Sequence, residues 1–172
     1  MPSWHQAIWV AGTAIAAIAV ALLAHWIVFA VLRRFARQTR NIIDDSLISH
    51  TSNPTRLIAP LFALLFVLPR FNLPEDALVT IKHLISLGMI GAVGWLSMGL
   101  LDVVGDVIAD KYKIDQQDNL RARRIHTQAY MLRRVAVVVV SLITLAIMLM
   151  TFPSIRHLGI SLFASAGIAG IV

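Results

Sequence analysis

Cysteine is absent from this chain of 172 residues. No disulfide, thiolate metal site or thiol nucleophile can therefore form. Charge is scarce as well: Asp, Glu, Lys and Arg make up 14% of the residues, against about 25% in soluble domains. Hydrophobic residues account for 58% and the mean hydropathy is +0.78, a composition suited to a bilayer rather than to water. No Lys or Arg precedes the first apolar run, and that run is too long for a secretory signal, which disfavours a cleaved leader.

Chemistry-bearing motifs are missing too. No Ser/His/Asp cluster, Gly-rich phosphate loop or paired acid/base carboxylates stand out, so the sequence does not read as an enzyme. His5, His50, His83, His126 and His157 are scattered without ligand spacing, and neither a metal nor another cofactor is expected. The net charge of +6 invites a nucleic-acid reading. The basic residues instead fall in short runs between apolar segments, with no aromatic-interleaved basic face, and anionic lipid headgroups are the better partner.

What is present is a series of apolar segments. Residues 7–32 carry no formal charge and are long enough to cross a hydrocarbon core of ~30 Å with some tilt. Residues 84–101 and 135–152 form two further spans, and residues 158–172 begin another. The doubtful segment is "LIAPLFALLFVLP", residues 57–69, which as a helix rises only ~20 Å and by itself would suit a buried or re-entrant piece.

Basic residues arbitrate, because cytoplasmic loops carry the Lys/Arg excess. Taking every segment as a crossing, successive loops hold 0, 5, 2, 7 and 1 basic residues. Arg33, Arg34, Arg37, Arg40 and Arg56 form the set of five. Omitting the doubtful segment would put the two richest loops on opposite sides. We therefore expect it to cross, lengthened upstream through "SLISHTSNPTR", with the N-terminus outside and the C-terminus cytoplasmic. The fold expected is an all-α, polytopic transmembrane bundle of about five helices.

Asp102, Asp106 and Asp110 share one helix face. Such a row inside a membrane would suggest a proton or cation path. Residue 101 already ends a span-length run, so the simpler expectation is interfacial acids pairing with the arginines of the next loop. His25 is the only imidazole well inside a span and is expected to pack or hydrogen-bond to a neighbour. In "DNLRARRIHTQAYMLRRV", Asp118 or Asn119 can cap a helix that continues into the membrane. Arg121, Arg123, Arg124, Arg133 and Arg134 would then lie at the cytoplasmic surface as lipid anchors or as a positive-inside stop signal.

The last segment is built of small residues. Ser161, Ser165 and Ala169 form one stripe, and Ala166 and Gly170 the adjacent one. Such stripes let helix backbones approach closely. They suit packing within the chain's own bundle, or a ring of identical helices in which Ala164, Ile168 and Ile171 could face the axis. A pore lined by aliphatic groups can close by dewetting.

The stretch from Asp118 to Val172, and most closely "ARRIHTQ", "MTFPSIRHLG" and "SLFASAGIAGIV", resembles the last membrane-spanning pair of MscS-type (small-conductance) mechanosensitive channels. The resemblance implies a homoheptamer in a bacterial inner membrane whose last helix lines the pore. It assigns inter-helix packing to Ala166, Gly167, Ala169 and Gly170 and the hydrophobic constriction to Ile168 or Ile171. Residues 1–83 would be additional N-terminal transmembrane helices, 84–152 lipid-facing helices, and 153–172 the start of the pore helix. The cytoplasmic β and α/β domains of the family do not follow Val172, so the chain reads as truncated within that helix. The function expected is tension-gated passage of ions and small osmolytes for osmotic protection. The alternative is a non-conducting membrane module that assembles with or regulates a larger complex.

Overall fold

The computed structural model of the chain describes residues 4–39, 41–71, 73–111 and 120–170, and for residues 4–7, 120–124, 166 and 169 the backbone only. These residues form five α-helices: α1 (Trp4–Thr39), α2 (Ile42–Val67), α3 (Glu75–Lys111), α4 (Leu120–Met150) and α5 (Arg156–Ala169). Short 3-10 turns lie at Leu68–Arg70 and Pro153–Ile155, and no strand occurs among the described residues. The first four helices are long and apolar enough to cross a membrane. At 14 residues, about 21 Å, α5 is not among them. The cap expected at Asp118 or Asn119 lies outside the described residues.

Local chemistry sets the breaks. Asn41 sits in extended conformation and its Oδ1 accepts from the Ile43 N–H at 3.1 Å, while Asp44 and Asp45 occupy the positive first turn of α2. Pro74 precedes α3, whose first turn carries Glu75 and Asp76. Pro153 holds Phe152 extended and stops α4, so that a short turn returns the chain into α5.

The segment doubtful in sequence is here the second half of a longer helix. α2 begins at Ile42 and runs through both Pro54 and Pro60. Within its polar stretch the hydroxyls are satisfied by the preceding turn: Thr51 Oγ1 donates to the Leu47 carbonyl and Thr55 Oγ1 to the Thr51 carbonyl, each at 2.6 Å. In lipid no water would satisfy those groups.

Helices pack in chain order, α1 on α2, α2 on α3, α3 on α4 and α4 on α5, as an open antiparallel row. Buried apolar residues are correspondingly few and mostly small, among them Ala36, Ala92 and Ala146. Glycines set the close approaches. A Cβ on Gly99 would lie 2.6 Å from the His50 carbonyl oxygen, on Gly94 2.5 Å from Thr144 Oγ1, and on Gly159 2.5 Å from the Ala146 carbonyl oxygen. The first is special, because Pro54 has no N–H to give to the carbonyl of His50 four residues back. A hydrogen-only face on α3 is what allows α2 to bring that carbonyl in.

These contacts rank the glycines. Gly99→Ala drives a methyl into fixed backbone and should lower stability by about 1–3 kcal/mol. At Gly91 the added methyl meets only the mobile Met148 Cε, at 2.9 Å. Gly91→Ala should therefore be neutral or gain about 0.5–1 kcal/mol from helix propensity. Unfolding midpoints in a mixed-detergent titration test this; equal effects at the two sites would refute the α2–α3 contact.

Candidate functional site

Two regions gather the residues singled out by sequence. On α5, Ala164, Ser165, Gly167 and Gly170 are exposed within the single chain, and Ile168 is 65% exposed. A Cβ on Gly167 would meet nothing within 4 Å. The hydroxyls of Ser161 and Ser165 bond to the Leu158 and Ser161 carbonyls at 2.9 and 2.8 Å, so the stripe presents no unsatisfied donor. α5 rests on α4 through Gly159, and its second half is smooth and uncovered. Ile171 lies outside the described residues, as do the side chains of Ala166 and Ala169.

The second region is a polar belt across α2, α3 and α4. Arg133 Nε donates to Asp102 Oδ1 at 2.7 Å, and Nη2 reaches the same oxygen at 2.5 Å. Buried Ser46 donates to Asp106 Oδ2 at 2.5 Å, and His50 Nδ1 lies 3.6 Å from that carboxylate oxygen. His50, Asp102, Asp106, His126, Tyr130 and Arg133 border a cavity of about 260 Å³. Arg133, expected as a lipid anchor, thus ties α4 to α3 while remaining exposed, and Arg134 is exposed as well. The side chains of Arg121, Arg123 and Arg124 lie outside the described residues. Among the described residues no group of three or more His, Asp or Glu side chains converges as a metal site. His25 lies 3.0 Å from Thr55 Oγ1 through Nε2 and stacks on Phe29 at 4.4 Å, tying α1 to α2.

Register exposes a residue that the loop tally hides. His50 meets Gly99 and Leu61 meets Gly88, eleven residues forward on α2 for eleven back on α3. Arg56, six beyond His50, is therefore level with Val93, the middle of the charge-free run 84–101. Asp102 is nine residues further along, about 14 Å away. Arg56 falls within the candidate span Ile42–Arg70, as the upstream lengthening through "SLISHTSNPTR" implies, although the loop tally counted it outside; inside a bilayer an arginine costs about 2.5–3.5 kcal/mol on insertion scales. The signal was available, since thirteen apolar residues are too few to cross and the remainder of the span must reach back past Arg56.

Comparison with family models, curated proteins and solved structures finds no match to this chain.

The Arg133–Asp102 pair is open to a direct test. Arg133→Gln and Asp102→Asn should each destabilise, while the double substitution should recover about 1 kcal/mol of the combined loss. Strict additivity in a double-mutant cycle would mean that the pair carries no coupling.

Proposed function

We propose that this chain is the membrane region of a tension-gated channel of the MscS type, passing ions and small osmolytes without bond chemistry. The observation that carries the reading is the smooth, uncovered half of α5. Among its described small residues Ala164, Ser165 and Gly167 are exposed in their own chain and a Cβ on Gly167 would meet nothing within 4 Å, and a ring of identical α5 helices would give them neighbours on either side. In such a ring Ala164 and Ile168 face the axis with Ile171 beyond them, and the aliphatic lining closes by dewetting. The family resemblance suggests seven copies.

Membrane tension does work in proportion to the area gained on opening, so it favours a wider state only through that difference. Helices α1 to α4 form an open row with large apolar side chains toward lipid, a shape that tension can move. The polar belt would keep α3 and α4 moving as one body. With Arg56 removed from the loops, the basic tally is 0, 4, 2, 7 and 1, which still alternates and supports an outside N-terminus in a bacterial inner membrane.

Patch recordings from liposomes bearing this chain, under graded suction, are the direct measurement. Stepwise currents that rise with suction are expected; silence, with protein verified in the bilayer, would favour the non-conducting module. Gly167→Leu sharpens the test, because the added side chain has open space within the chain. Its unfolding midpoint should stay unchanged while cross-linking of α5 into closed rings falls and gating tension rises. A variant that cross-links and gates as the parent does would defeat the ring.

A further inference from the structure

Arg56 sits at mid-span with its side chain exposed, and among the described residues no carboxylate pairs with it. A guanidinium at that depth persists when an anion or water reaches it. Beside it, α1 and α2 leave a cleft of about 300 Å³ bordered by Arg56, Asn53 and Ser52 on one wall and by Trp26, Phe29 and Arg33 on the other. His25 lines it as well, and its contact with Thr55 fastens the two walls together. Arg33 lies eight residues beyond His25, about 12 Å nearer the end of the span. Arg33 and Arg56 thus border the same cleft from opposite helices, their backbones offset by about 12 Å along it, a gap that two long side chains can narrow.

Its chemistry is one-sided. Two guanidiniums, an amide and a hydroxyl can donate, and no Asp or Glu lines the cleft, unlike the α2–α4 cavity with Asp102 and Asp106. Guanidinium forks match phosphate oxygens two at a time. Trp26 and Phe29 add an apolar wall that a free inorganic ion would not use but an acyl-bearing one would. The volume is at the lower end of ligand sites, suited to a headgroup whose tails stay in the bilayer.

We infer that the α1–α2 cleft binds the phosphate of an anionic phospholipid between Arg33 and Arg56, drawing one headgroup below the membrane surface. The site is made of α1 and α2 alone and stands whether or not the chain conducts.

Trp26 borders the cleft and reports on it. The protein retaining only that tryptophan, with Trp4, Trp9 and Trp95 changed to Phe, is placed in phosphatidylcholine vesicles containing a minor share of phosphatidylglycerol. Bromine is carried on the chains of one lipid or the other. Brominated phosphatidylglycerol should quench Trp26 well beyond its mole share, and Arg56→Gln or Arg33→Gln should each cut that preference about fivefold. Arg56→Lys should keep only part of it, and Arg156→Gln, at an exposed arginine where α5 begins, should leave it intact. Far-UV circular dichroism and elution volume establish that each variant is folded. Equal quenching by the two lipids overturns the site, as does an Arg156→Gln effect as large as that of Arg56→Gln. Loss of the preference on adding inorganic phosphate overturns the lipid assignment and gives the cleft to a soluble anion.

Discussion

The arrangement of this chain depends on one contact, the carbonyl of His50 set against the bare face of Gly99. Pro54 removes the N–H that would have closed that turn of α2 and leaves a carbonyl in need of company. Hydrocarbon supplies none, so the neighbouring helix must come close, which only a residue without a side chain permits. Once His50 and Gly99 touch, the register of α2 on α3 is fixed. Ser46 then reaches Asp106, and Arg56 falls at the depth of Val93.

Close approach replaces the hydrophobic drive that a soluble core would use, since lipid tails are as apolar as leucine. That is why so few large side chains are buried and why Gly88, Gly94, Gly99 and Gly159 lie at the helix contacts. Polar side chains complete the row: Arg133 on Asp102 and Ser46 and His50 on Asp106 tie helices at one end, and His25 on Thr55 ties α1 to α2 deeper in the span. At the other end His83 packs edge-on against Phe152 at 4.7 Å, while Arg70 lies over the Phe66 ring at the close of α2.

Much of this was legible in sequence because membrane helices announce themselves by length and hydropathy. α1, α3 and α4 follow directly from their charge-free runs, and the alternating basic loops argued for α2 as a crossing. The pairing of Asp102 with an arginine of the next segment was also foreseeable from its place at the end of a run. The upstream lengthening of the doubtful segment already carried Arg56 into the span, yet the loop tally kept it with the cytoplasmic set, because a tally assigns a charge to a side without asking how far a span must reach. Nor could the cleft be read, since it needs residues from two helices in a particular register. Spacing alone says which residues share a face but not which faces meet.

The same limit applies to small residues, where structure adds a contrast that composition lacks. On α3 each of Gly88, Gly91, Gly94 and Gly99 has an atom of another helix within reach of a notional methyl, so its smoothness is used inside the chain. Gly167 has none. Openness by itself is weak evidence, because Gly12 on the lipid-facing α1 is equally open. The difference lies in their surroundings. Gly12 has Ala11, Ala14 and Ala16 nearby, but within one turn it is also flanked by Ile8, Trp9 and Ile15, all large and at least 66% exposed, which keep that surface rough. Gly167 stands in a run where Ala164, Ser165, Ala166, Ala169 and Gly170 remove bulk on nearly every side. Small residues in such a run permit another backbone to approach closely, and in the proposed ring an identical helix on each side would be that occupant.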